Sequence, residues 1–293
     1  MLPLDVVERR SSNFLRPFLR SADGAMKFGG LIVGSIILIA ILAPVIAPHD
    51  PYDQELSARL LPPAWHAKGT WAHPLGTDQL GRDYMSRLIY GSRISILIGM
   101  SIVAISATIG TTLGGLAGYF KGRVDLFITF LITVRLSMPA SLVALAVVSL
   151  VGNSLRSVIL VLGFLLWDRF AVVTRTVVMH ASTLEYVAAA QCLGCSTVRI
   201  LVREILPNIA SSLVVVATLE IAHAVLLEAS LSFLGLGVQP PTPSWGLMMA
   251  EGKDQIFFSS WLIVFPGAAL FLLMVGVNVL GDSLRQFAGS KGG

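Results

Sequence analysis

Apolar residues run along this chain in blocks much longer than the face of a soluble helix. Residues 28–47, 94–120 and 255–281 carry no charged side chain. A helix needs about 20 apolar residues to cross a bilayer's hydrocarbon core, so each block is long enough to span it. The pattern predicts six spans, at about 28–47, 93–119, 124–151, 157–173, 208–234 and 261–280. Pro48 and Pro51 close the first, Arg135 and Pro139 interrupt the third, and Gly152-Asn153 marks a turn. Asp168-Arg169 falls near the end of the fourth span, where Arg169 is expected to snorkel to the interface. The fold class is therefore all-α integral membrane, and the first block exceeds the core of about 7–15 residues found in a cleaved signal peptide.

Composition agrees: 55% of residues are hydrophobic and 13% charged, against about 25% charged in soluble domains. A net charge of +4 argues for no nucleic-acid partner, because in a membrane protein the placement of Lys and Arg outweighs their sum. With six spans both termini share a side. That side holds Arg9, Arg10, Arg16, Arg20, Lys27, Lys121, Arg123, Arg169, Arg175, Arg199, Arg203, Arg285 and Lys291, while the other holds Arg59, Lys68, Arg82, Arg87, Arg156 and Lys253. The bias predicts cytoplasmic termini and a cytoplasmic segment between spans 4 and 5. The chain divides into an N-terminal tail 1–27, a first span with extracytoplasmic loop 28–92, a core 93–283 and a C-terminal tail 284–293.

Within the core, Gly110, Gly114 and Gly118 recur every four residues and stack on one helix face. Small residues there let a neighbouring backbone approach, and packing within the subunit is favoured over a dimer contact. Residues 185–194 read as a short helix stopped at Gly194, and Ser196-Thr197 starts another that runs to Leu206 before Pro207. This cytoplasmic helix–turn–helix, residues 182–207, presents Ala188-Ala189-Ala190, a smooth face suited to a partner's groove.

The segment resembles the Glu-Ala-Ala loop of ABC importer permeases. Ala189, Ala190 and Gly194 match, Leu206-Pro207 closes the pattern, Ala188 replaces the usual glutamate, and Glu185 lies one turn earlier. His73-Pro-Leu-Gly-Thr-Asp-Gln-Leu-Gly-Arg-Asp83 with Ser86-Arg-Leu-Ile-Tyr-Gly-Ser-Arg93, and Glu228-Ala-Ser-Leu-Ser-Phe-Leu-Gly-Leu-Gly237 with the prolines beyond it, resemble the dipeptide/oligopeptide/nickel permease family. The set is similar to C-type permease subunits of dipeptide importers and implies a type I importer fold. The resemblance implies a B-type permease beside this chain, two ABC ATPases docked at Glu185, Ala189, Ala190, Gly194, Leu206 and Pro207, and an extracytoplasmic solute-binding protein. It also implies a bacterial inner membrane and a di- or oligopeptide cargo, with nickel complexes, glutathione, opines or sugars as alternatives. ATP and magnesium are expected only in the ATPases: the sole Gly-Lys pair, Gly252-Lys253, is followed by Asp254, so no phosphate-binding loop is present. No nucleophile and base stand at catalytic spacing, and spans 1–3 show no inverted repeat of 4–6 that would suggest a self-contained secondary transporter.

Ionisable groups within spans ask for partners or a wet path. Glu220, His223 and Glu228 in span 5 read equally as a translocation path or as buried structural pairs, with Arg135 a partner for a span-5 carboxylate; Glu228 leans to fold maintenance. Cys192 and Cys195 read as incidental small residues. The five histidines are scattered singly, so no metal site is expected. Trp245 and Trp261 are expected to anchor at the interface.

Overall fold

A computed structural model describes the backbone of residues 4–290 and the side chains of residues 24–286. The basic positions Arg9, Arg10, Arg16, Arg20 and Lys291 lie outside the described side chains. Among the described residues the structure is helical, with one isolated β-bridge between Thr77 and Asp83. Helix α1 (Leu4–Ile46) leads through a long loop to α2 (Tyr84–Phe120), α3 (Gly122–Leu136), α4 (Ala140–Val151), α5 (Leu155–Leu165) and α6 (Asp168–Ala181). Then come α7 (Glu185–Cys192), α8 (Thr197–Arg199), a π-turn (Ile200–Ile205), α9 (Leu206–Phe233), α10 (Trp245–Gly252) and α11 (Trp261–Ser290).

Among the described residues five helices are long and apolar enough to cross a membrane, or six if the bent pair α3 and α4 forms one span. That pair turns by 86° at Pro139, where the ring cannot donate a backbone hydrogen bond. A second break separates α5 from α6 at Leu166-Trp167, yet the two act as one span, Leu155–Ala181. The fourth span therefore extends well beyond residue 173, and Asp168-Arg169 lies mid-span instead of at the inner interface. Carbonyls freed by a break inside a bilayer need donors. Ser106 Oγ donates to Gly163 O at 2.9 Å and Arg135 Nε to Leu165 O at 2.6 Å, which meets that need.

The glycine row on α2 packs within this chain against α6. A Cβ on Gly110 would strike the Trp167 carbonyl, one on Gly114 would lie 2.8 Å from Thr174 Cβ, and one on Gly118 2.6 Å from Arg175 O. Rising numbers meet rising numbers, so α2 and α6 run parallel. Helices α1 and α11 run antiparallel, with Gly29 against Gly276 and Leu280 and Gly276 against Ile32. Asp125 and Arg175 pair through two contacts, Nη2 to Oδ2 at 2.8 Å and Nε to Oδ1, and tie α3 to α6. Leu31, Val45, Leu126, Phe127, Phe130, Leu142, Leu150 and Phe271 point outward, as lipid-facing side chains would.

Pro207 does not break the chain's re-entry: Thr197–Phe233 is continuous over 37 residues. Proline deprives the carbonyl four residues earlier of its partner, and the π-turn absorbs the mismatch, with Leu206 N–H bonding to Leu201 O.

Candidate functional site

Three polar or uncovered regions lie along the axis of the bundle. The first is the elbow of α7 and α8. Gly194 adopts φ +70°, and its N–H donates to Gln191 O at 2.9 Å while Cys195 N–H donates to Ala190 O at 3.1 Å. This pair of bonds is the Schellman closure of a helix by glycine. Ser196 Oγ accepts from Arg199 N–H at 3.4 Å and starts the second helix. Val187, Ala190, Ile200 and Ile205 bury themselves against Val178 and Ala181. The two alanines thus separate: Ala190 is core, whereas Ala189 is exposed. Ala188, Ala189, Leu193, Gly194 and Val198 are exposed, Leu193 to 83%, and leave apolar surface uncovered on the elbow. Glu185 and Pro207 are exposed beside it, Leu206 half-buried.

The second region is at mid-span. Arg169 Nη1 donates to Glu220 Oε1 at 2.7 Å, and His223 Nδ1 stands 3.4 Å from Glu220 Oε2. Glu220 is 2% exposed, while the Arg169 side chain is 55% exposed. The pair flanks a cavity of about 330 Å³ lined also by Leu136, Val172, Val173, Val216 and Leu219. Arg135 is not the partner of a span-5 carboxylate: its guanidinium serves the broken backbone at Leu165 and Met138. Arg169 was missed because a span cut at residue 173 places it near water. A segment of 157–173 is shorter than the about 20 residues a crossing needs, and that shortfall was the available signal.

The third region is a cap over the far end of the bundle, built from the motif stretches around residues 73–93 and 228–246. Arg87, fully buried, donates through Nη1 to Glu251 Oε2 at 2.7 Å and to Asp78 Oδ2. Arg82 Nε donates to Asp78 Oδ2 at 2.6 Å and its Nη2 to Glu251 Oε1 at 3.2 Å. Two guanidinium and two carboxylate groups therefore neutralise one another between the loop and α10. Trp245 is buried and donates from Nε1 to Leu88 O at 3.0 Å, so it locks α10 to α2 and does not anchor at a lipid interface. Glu228 lies here, apart from the mid-span cavity. Its Oε1 accepts from Ser232 Oγ at 2.6 Å and Ser244 Oγ at 3.4 Å, holding the return loop to α9. Two of the five histidines are not scattered: the rings of His49 and His73 stand 4.9 Å apart in this cap. Cys192 and Cys195 are free thiols.

Comparison with known proteins matches residues 110–290 to the family described as "Binding-protein-dependent transport system inner membrane component", and residues 22–63 to "N-terminal TM domain of oligopeptide transport permease C". The chain is 38% identical to the dipeptide transport system permease protein DppC of Haemophilus influenzae, over 92% of this chain and 91% of that protein. It is 40% identical to the di/tripeptide transport system permease protein DppC of Pseudomonas aeruginosa, over 93% and 90%. It is 37% identical to the glutathione transport system permease protein GsiD of Pectobacterium atrosepticum, over 93% and 88%.

Proposed function

The chain belongs to the family of binding-protein-dependent transport system inner membrane components, and we propose that it forms half of the pathway of an ATP-driven importer of short peptides. It is a multi-pass inner-membrane protein with the fold of type I importer permeases. The observation that carries the reading is the uncovered apolar face of the elbow, a docking surface on a chain without a phosphate-binding loop of its own. Two ABC ATPases binding ATP and magnesium would seat on it, around Glu185, Ala189 and Gly194, with the buried Ala190 and the continuous helix through Leu206-Pro207 supporting the seat from behind. The permease itself performs no catalysis. The surplus of Lys and Arg supports an orientation with the elbow and both termini in the cytoplasm and the cap outside, where a solute-binding protein would deliver cargo. A B-type permease would supply the other half of the pathway.

Cargo would be a peptide, the substrate class in the names of two of the relatives above. A second reading is glutathione, itself a tripeptide, from the relative at 37% identity. The exposed Arg169 guanidinium beside the cavity, held by the buried Glu220, suits the terminal carboxylate of a peptide. Uptake of labelled dipeptides, tripeptides, pentapeptides and glutathione by a deletion strain, with and without this gene, tests the reading. Loss of peptide uptake on deletion and its return on complementation is the expected result. Unchanged uptake of every peptide in a strain lacking other peptide permeases would overturn it.

A further inference from the structure

His49 follows the first span, His73 lies in the long loop, and Asp83 caps the N-terminus of α2. Folding brings ligand atoms of all three within 4.8 Å of one another. His73 Nδ1 lies 2.9 Å from Asp83 Oδ1, and His49 Nδ1 lies 3.8 Å from the same oxygen. The other carboxylate oxygen is committed, because Oδ2 accepts from the Ser86 N–H at 2.8 Å. The backbone of His49 is held too, its N–H donating to Ser86 Oγ at 3.0 Å. One carboxylate oxygen is thus left facing two imidazole nitrogens. A hydrogen bond serves His73 but not His49, which stands beyond hydrogen-bond reach.

A cation would serve both. Zinc bonds to nitrogen and oxygen run about 2.0–2.1 Å, and at the tetrahedral angle they separate ligand atoms by about 3.3 Å. That spacing falls between the 2.9 and 3.8 Å seen here. Two imidazoles and one carboxylate suit zinc and similar transition cations; magnesium and calcium prefer all-oxygen shells. Burial grades across the group: the Asp83 side chain is 1% exposed, His73 13% and His49 43%, so one side opens to water.

We propose that His49, His73 and Asp83 form a binding site for a zinc-class divalent cation, with a fourth position open to water. The bound ion cross-links the chain after α1, the loop and the start of α2, and fastens the cap through three segments. This site is independent of the cargo and lies apart from the Arg169–Glu220 cavity.

The test uses the full-length protein purified in detergent, stripped with a chelator, reloaded with Zn²⁺ and desalted before metal analysis. The wild type should retain about one zinc per chain, excess Mg²⁺ should not displace it, and Co²⁺ in its place should give the visible absorption of a four-coordinate complex. His49→Ala removes a half-exposed ring while its backbone bond to Ser86 stays, and it should weaken zinc binding at least tenfold with an unchanged elution profile. Zinc should also raise the thermal midpoint of the wild type and not that of His49→Ala. If His73→Ala misfolds, His49→Ala alone carries the test. Equal zinc retention by wild type and His49→Ala, or displacement by Mg²⁺, would overturn the proposal.

Discussion

Single side chains decide whether charge survives inside this bundle. Arg87 and Arg82 share Asp78 and Glu251, and removing Arg87 leaves two carboxylates with a single guanidinium between them. Breaking a buried ion network by deleting one partner costs about 3–5 kcal/mol. Arg87→Ala should therefore lower the thermal midpoint sharply in a detergent unfolding assay, with loss of folded protein as the extreme case. A midpoint unchanged from wild type would mean the network contributes little. At mid-span, Glu220→Gln leaves Arg169 without its carboxylate. Uptake should fall at least tenfold while the amount of inserted protein, read by immunoblot of membranes, stays the same. Glu228→Ala should instead reduce the inserted amount, since it removes the acceptor that holds the return loop and Glu228 does not line the cavity. If Glu220→Gln transports normally, its pair with Arg169 is structural.

At the scale of elements, the elbow was legible from sequence because its signals are local. A glycine that must take φ +70° and a serine that caps the next helix both act within four residues. The outward spans were legible for the same reason, through unbroken apolar runs. What could not be read depends on which helix lies beside which. From the sequence Arg135 is the expected partner of a span-5 carboxylate and Arg169 an interfacial residue, yet packing assigns Arg135 to the backbone break at Leu165 and Arg169 to Glu220. The His49–His73 approach and the burial of Trp245 arise likewise from contacts between distant segments. The glycine row on α2 was readable as a close-packing face, whereas its partner α6 was not. Gly114→Leu should consequently destabilise, because the added Cβ alone meets the Ala171 carbonyl and Thr174; overpacking of this kind costs about 1–3 kcal/mol. The elbow gives a sharper test, since the space around Gly194 is open and only its backbone angle resists a side chain. Gly194→Glu should insert normally yet lose co-purification of the ATPases and transport. Gly194→Asn, which tolerates the left-handed conformation, should retain both. Full transport by Gly194→Glu would remove the elbow from the coupling path.

Across the whole molecule one helix touches all three regions. Thr197–Phe233 starts in the elbow, carries Glu220 and His223 beside the mid-span cavity and ends near Glu228 under the cap. Its 37 residues correspond to about 55 Å at 1.5 Å per residue, so a push at the elbow can travel the depth of the bilayer along one continuous rod. That transmission requires the elbow to lie on the ATPase side, and a native thiol reports on it. Cys192 is exposed at the end of α7, next to the uncovered face, and Cys195 is half-buried. In a Cys195→Ser background, a membrane-impermeant maleimide should label Cys192 in inside-out vesicles and not in intact spheroplasts. Assembly with the proposed ATPases should then slow that labelling, because a subunit docked on the elbow would cover α7. Labelling from the spheroplast exterior would invert the topology and separate the elbow from any cytoplasmic engine.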